Sequence, residues 1–142
     1  LDLMVELCKT NGIKLILIKS PSIYPYWYDE WEQQMEEYAA QNDLQYINFL
    51  ELMDETGVDL NTDTYDGGLH MNLAGAEKLS KYIGKILQDQ YGVADRRGDA
   101  GLSRVWQEKT AFYDQMRDSQ YAELEEYGYL KSVGVRDDGE NN

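Results

Sequence analysis

The sequence predicts an α/β fold, a partial three-layer arrangement of helices around parallel strands, with a helical extension at the C-terminus. Helical and strand patterns alternate over the first fifty residues, which is the rhythm of α/β proteins. The apolar run at residues 13–19 is typical of a parallel strand that is buried on both faces. At 142 residues, 42% of them hydrophobic, the chain is long enough for one core.

The order of elements follows from apolar spacing and from residues that end helices. Asn11 and Gly12 tolerate the left-handed conformation and should stop the first helix. Asn42 and Asp43 should break the second. Asn72 stands where an N-cap is needed before a strongly amphipathic helix. The predicted elements are helices over residues 1–10, 26–41 and 73–91, and strands over residues 13–19 and 44–49.

The composition changes after Gly92, where a charged linker leads into a second amphipathic segment. We therefore predict an α/β part over residues 1–92, a helical extension over residues 93–134 and a disordered tail over residues 135–142. We expect the apolar stripe of the extension to serve packing rather than to bind a cofactor. That stripe comprises Trp106, Phe112, Tyr113 and Met116.

Charge and rare residues exclude several classes of function. The chain carries 13 basic and 27 acidic side chains, a net charge of −14, which argues against nucleic-acid partners and anionic membrane surfaces. The single cysteine, Cys8, excludes an intrachain disulfide and a zinc site built from several cysteines. We expect no cofactor. Because the sequence opens inside a helical pattern, we also expect it to be part of a longer protein.

The chemistry is concentrated in residues 62–72, named here the site loop, which holds the only histidine. A carboxylate beside His70 would make a general base, because it fixes the imidazole tautomer and stabilises the imidazolium. Either Asp66 or Asp63 can take that role, and we prefer Asp66. The simpler interpretation is that His70 merely packs at a helix start. One histidine with two aspartates is an incomplete ligand set for zinc.

The segment DGGLHMNLAGAEK at residues 66–78 resembles the C-terminal block of the SGNH (GDSL-type) hydrolases, in which Asp and His on one loop complete a Ser-His-Asp triad. GIKLILIKSPS at residues 12–22 is similar to a late strand of those domains. The resemblance covers about residues 1–92. It is greatest to the membrane-anchored, extracytoplasmic SGNH-like proteins of Gram-positive bacteria, so it implies a flavodoxin-like α/β/α fold and that location.

The resemblance implies ester hydrolysis or acyl transfer on O-acetyl groups of cell-envelope carbohydrate. His70 would be the general base and Asp66 its partner, although Asp66 stands four residues before His70 where the family has three. The family's nucleophilic serine and its oxyanion-hole residues have no counterpart here. Ser20 and Ser22 lack a Gly-Asp-Ser turn, and we interpret them as caps. The chain alone should therefore be inactive.

We expect Tyr26, Trp27 and Asn72 to contact substrate. The aromatic cluster also has a structural interpretation, in which it covers the core at the start of its helix; its members are Tyr24, Tyr26, Trp27, Tyr28 and Trp31. The competing functional class is a non-enzymatic interaction or polysaccharide-binding module. An exposed strand edge or the C-terminal helix would support homo-oligomers.

Overall fold

The computed structural model describes residues 1–23 and 26–133 as a mixed α/β chain, mostly helical, with a two-stranded parallel sheet. This confirms the predicted α/β class and the parallel strands. The chain divides into two compact units, Leu1–Glu55 and a second that begins at Thr56. The elements are α1 (Asp2–Thr10), β1 (Ile16–Lys19), α2 (Asp29–Asn42), β2 (Gln45–Asn48), α3 (Met53–Thr56), α4 (Leu73–Tyr91) and α5 (Ala100–Tyr127).

In the first unit, β1 starts three residues later than the sequence predicts. The amide of Ile13 donates to the carbonyl of Cys8 at 2.9 Å, so the chain after α1 is still completing the helix exit. The strand then pairs with β2 from Ile16 opposite Gln45 to Lys19 opposite Asn48. The apolar run therefore spans a helix exit and a short strand.

The core of the first unit is formed by buried side chains of the strand region and of α1 and α2. Leu17, Ile47 and Phe49 are buried from the strand region, and Val5 and Ala39 from the helices. Ile18 in β1 is 47% exposed, so the prediction that this strand is buried on both faces is wrong for the described residues. Burial on both faces needs helices on both sides of the sheet. Within the described residues β1 has one neighbouring strand, β2.

The helix α2 begins at Asp29, three residues later than predicted, and ends at Asn42, one residue later than predicted. Asp29, Glu30 and Glu32 place negative charge on its first turn, where the helix dipole favours it. Asp43 adopts the left-handed conformation, with φ of 55°, at the C-cap. That conformation stops the helix immediately before β2.

In the second unit, α4 has the bounds that the sequence predicts. The Asn72 side chain caps its first turn, and Gly92 ends it with φ of 66°. Asp99 is the N-cap of α5, and its carboxylate accepts from the amides of Gly101 and Leu102; Gly128 is the C-cap of the same helix. Both ends thus follow ordinary capping rules.

The stripe on α5 does not pack as predicted. Trp106 and Phe112 are exposed, whereas Tyr113 is half-buried. Side chains of α5 form hydrogen bonds to α4, and these include Tyr113, Gln120 and Tyr121. The N-terminal half of α5 therefore carries apolar side chains that α4 does not cover.

The predicted boundary at residues 92/93 falls inside the second unit and stays a prediction, and the predicted tail, residues 135–142, lies outside the described residues. Across the part of the chain that the structure describes, no helix combines the length and apolar character that crossing a bilayer requires.

Candidate active site

The site loop folds as a narrow hairpin that carries Asp66 and His70 at its tip. Thr64 and Met71 form an antiparallel bridge, and the Tyr65 amide donates to the His70 carbonyl at 2.9 Å. The turn between them contains Gly67 and Gly68, with φ of 68° and 106°. Side-chain-bearing residues rarely adopt these angles, so the two glycines allow the tip to close on itself.

Asp66 holds His70 through both of its carboxylate oxygens. Its Oδ2 lies 2.6 Å from the imidazole Nδ1, and its Oδ1 accepts from the His70 backbone amide at 2.7 Å. An ionised carboxylate only accepts hydrogen bonds, so in the neutral imidazole this contact assigns the proton to Nδ1 and leaves a lone pair on Nε2. The His70 side chain is 78% exposed, and Nε2 has no hydrogen-bond partner among the described residues. The pair presents a free base to solvent.

The contact also changes the acidity of Asp66. The hydrogen bond from the His70 side chain, aided by that from its backbone amide, holds the pKa of the Asp66 carboxyl below its ordinary value. Replacing His70 by alanine should raise the Asp66 pKa, because the larger of these two hydrogen bonds is lost. Carbon-detected NMR titration of the aspartate carboxyl groups measures this. An unchanged Asp66 pKa in the variant would contradict the geometry.

Asp63, the alternative partner for His70, binds Lys78 and the Asp59 amide instead. Its side chain is buried, with the residue 2% exposed, and its Oδ2 accepts from Lys78 Nζ at 2.6 Å and from the Asp59 amide at 2.7 Å. A buried carboxylate needs such partners, because an unpaired charge is costly to bury. Asp63 thus ties the site loop to α4, and Asp66 is the carboxylate on His70. No set of three metal-ligating side chains converges within residues 1–23 and 26–133.

The geometry does not support the predicted substrate contact by Asn72. The residue is 1% exposed; its Oδ1 accepts from the Gly75 amide at 3.2 Å, and its Nδ2 donates to the Thr62 carbonyl at 2.7 Å. The same amino group also lies 3.4 Å from the Thr64 carbonyl. A side chain that is buried and bonded at both ends caps α4 and closes the site loop, and it is not available to a ligand.

Gly75 has a structural role that the sequence did not indicate. A Cβ atom at this position would lie 2.4 Å from the backbone oxygen of Asp63. That oxygen also accepts the Asn72 amide at 2.9 Å. Only glycine lets α4 approach the site loop this closely, although the apolar spacing that marks a helix gives no sign of it.

Glu77 joins α4 to α5 through two tyrosines. Its carboxylate accepts from Tyr113 Oη and from Tyr121 Oη, each at 2.8 Å. Burial, followed by the hydrogen bond to Glu77, raises the pKa of Tyr113 to about 12. The phenols therefore stay protonated donors well above neutral pH. The sequence did not predict this cluster, because spacing within one helix does not identify partners on another.

The predicted aromatic contacts belong to the first unit. Tyr26 is exposed, and Trp27 is half-buried and donates through Nε1 to Glu32. The ring of Trp31 contacts Trp27 edge-on at 5.7 Å and Tyr28 at 4.8 Å. Tyr24, the remaining member, lies outside the described residues. Among the described members of the cluster, Trp27 is half-buried, whereas Tyr26, Tyr28 and Trp31 are exposed, and contact with substrate stays a prediction.

Ser20 and Ser22 lie in the turn after β1. The Ser22 amide donates to the Ser20 carbonyl at 2.8 Å, and Lys19 Nζ donates to the carbonyls of both serines, at 3.0 and 2.9 Å. These contacts organise the backbone of a loop.

We find no protein-family model, curated protein or solved structure that matches this chain.

Proposed function

We propose that this chain supplies the acid–base half of an SGNH-type esterase or acyl-transfer protein, with His70 as general base and Asp66 as the residue that orients it. One observation carries the proposal: Asp66 Oδ2 lies 2.6 Å from His70 Nδ1, in an exposed loop where Nε2 is free. In the complete protein, further strands would extend β1 and β2 into a three-layer α/β/α domain and bring a serine to Nε2.

The reaction then follows the steps of a serine hydrolase. The Nε2 lone pair of His70 takes the hydroxyl proton as the serine oxygen attacks the ester carbonyl, and Asp66 stabilises the imidazolium that forms. The tetrahedral intermediate expels the alcohol oxygen, which takes the proton from Nε2. Water or an acceptor hydroxyl then attacks the acyl-serine with the same base. The chain alone should lack activity, because triad members act as a unit.

We propose O-acetylated cell-envelope carbohydrate as the substrate class and an extracytoplasmic, membrane-anchored parent protein, both on the resemblance. Tyr26, Tyr28 and Trp31 support the substrate class, because exposed aromatic faces stack on the apolar faces of sugar rings. The second edge of β1 supports homo-oligomers of the isolated chain, since β2 is its one neighbouring strand among the described residues and an open strand edge is a template for another strand.

Covalent labelling tests this proposal in the complete gene product. A fluorophosphonate probe should label one serine, and His70→Ala should abolish labelling, because the serine is then no longer deprotonated. Gln88→Ala, an exposed substitution on α4, is the matched control and should label like the wild type. The proposal fails if no serine is labelled, if labelling is indifferent to His70, or if the labelled residue is Ser20 or Ser22.

The aromatic surface favours a second candidate function, a polysaccharide-binding module without catalysis. In that case, the wild type should bind an acetylated polysaccharide gel without any serine being labelled by the fluorophosphonate probe. Trp31→Ala should abolish retention on the gel, whereas His70→Ala should be retained like the wild type and should also remain unlabelled. Retention combined with His70-dependent labelling supports the enzyme instead.

A further inference from the structure

We infer that Gln120, on the C-terminal helix α5, positions the Asp66–His70 pair by holding both limbs of the site loop with one side chain. The catalytic meaning of this inference rests on the proposed function. The hydrogen bonds of Gln120 to Tyr65 and Leu73 can be tested by NMR without any assay of activity.

The carboxamide of Gln120 contacts the chain on each side of the pair. Its Oε1 accepts from the Leu73 amide at 3.3 Å, and its Nε2 lies 3.4 Å from Tyr65 Oη, to which it donates. Tyr65 directly precedes Asp66, and Leu73 follows His70 by three residues. A single half-buried side chain thus joins the two ends of the segment that carries the chemistry.

The contact to Leu73 gives the first backbone amide of α4 a hydrogen-bond acceptor. Leu73 is the first residue of the helix, so its amide has no acceptor within the helix. The Asn72 side chain caps the Gly75 amide instead. Gln120 therefore completes the N-terminus of α4 from a different helix, immediately after the site loop.

The contact to Tyr65 leads directly to the histidine. The Tyr65 amide donates to the His70 carbonyl at 2.9 Å, across the hairpin whose tip is closed by Asp66. Displacement of Tyr65 would therefore move the backbone of His70. The long hydrogen bonds of Gln120 are individually modest, and their effect arises because they act on both limbs together.

The hydrogen bonds of Tyr113 and Tyr121 to Glu77 hold Gln120 at the level of the site loop. Tyr113 and Tyr121 donate to the same carboxylate on α4, and Tyr121 is the next residue after Gln120. These bonds fix the position of α5 along α4 at the level of the site loop. Through Gln120, the helical extension therefore contributes a side chain to the site, which its sequence does not predict.

Nitrogen-15 NMR of the 142-residue chain tests the inference with three variants. Gln120→Met keeps a similar volume and removes both hydrogen bonds. Gln120→Glu keeps an acceptor for the Leu73 amide, and Tyr65 Oη can donate to its carboxylate. Gln115→Met is the matched control, the same substitution at an exposed position on the same helix.

In Gln120→Met, we expect the Leu73 amide to exchange with solvent about 10-fold faster, as loss of about one hydrogen bond predicts. Amides in the middle of α4 should be unchanged, and the His70 ring nitrogen resonances should shift. Gln120→Glu should restore both signals, and Gln115→Met should match the wild type. In the complete gene product, Gln120→Met should lower kcat about 10-fold with KM unchanged.

Identical His70 ring resonances in the wild type and Gln120→Met would overturn the inference. Uniformly faster exchange along α4 would also overturn it, because Gln120 would then only stabilise the unit. If the complete gene product shows no serine labelling while Leu73 and His70 respond as expected, the proposed function fails and the positioning contact stands.

Discussion

Under the proposed function, replacing His70 by alanine in the complete gene product should lower kcat for an aryl acetate by about 10⁵-fold, because loss of the proposed base would disable the whole triad. Asp66→Asn should lower kcat by about 10⁴-fold, because an amide that donates to Nδ1 favours the wrong tautomer of His70. KM should change little in both variants, since neither side chain binds the substrate in the ground state. Steady-state kinetics at one pH compare the two variants with Gln88→Ala.

Because the pair is exposed, its substitution should affect activity without unfolding the protein. His70 and Asp66 lie at a loop tip, so their substitution should leave the thermal unfolding midpoint within a few degrees of the wild-type value. A kcat in His70→Ala within 10-fold of the wild-type value, with the fold intact, would exclude His70 as the base. If the loss of kcat were accompanied by a large fall in the thermal unfolding midpoint, the loop would have a structural role instead.

Gly75→Ala should destabilise the chain by about 3 kcal/mol, at the upper end of the cost of overpacking, because the added Cβ meets rigid backbone. It would lie 2.4 Å from the Asp63 carbonyl oxygen, which cannot rotate away as a flexible side chain can. Moving that carbonyl also weakens its hydrogen bond with the Asn72 amide and disturbs the cap of α4. Urea unfolding followed by circular dichroism gives the change in the free energy of unfolding.

Gly84 provides the matched control on the same helix. A Cβ there would have no heavy atom within 4 Å, so Gly84→Ala should stabilise the chain by about 0.5–1 kcal/mol through helix propensity. If Gly75→Ala were as stabilising as Gly84→Ala, the close approach of α4 to the site loop would be refuted.

Local signals predicted much of the second unit. Asn72 and Gly92 bound α4 in the sequence as they do in the structure, because capping chemistry is encoded within a few residues. The short separation of Asp66 and His70, with two glycines between them, likewise allowed the contact to be anticipated from the sequence. Local sequence does not separate Asp66 from Asp63 as the partner of His70, because the difference lies in the burial of Asp63 and its bond to Lys78 on α4.

Features that depend on distant partners could not be predicted. The β1 strand begins late because the Ile13 amide returns to Cys8, which apolar composition does not reveal. Glu77 and Gln120 act across two helices, and Trp106 is exposed because α4 does not cover the start of α5. Each depends on how elements pack, whereas periodicity reports only which face of an element is apolar.

The contact between Asp66 and His70 should fix the Nδ1–H tautomer of the neutral imidazole and so leave Nε2 unprotonated. Long-range proton–nitrogen NMR of the chain at pH 9 measures the tautomer directly, and the single histidine makes the assignment unambiguous. We predict a protonated Nδ1 and an unprotonated Nε2 in the wild type, with that preference lost in Asp66→Asn. A wild-type imidazole protonated on Nε2, or a tautomer ratio indifferent to Asp66, would contradict the account.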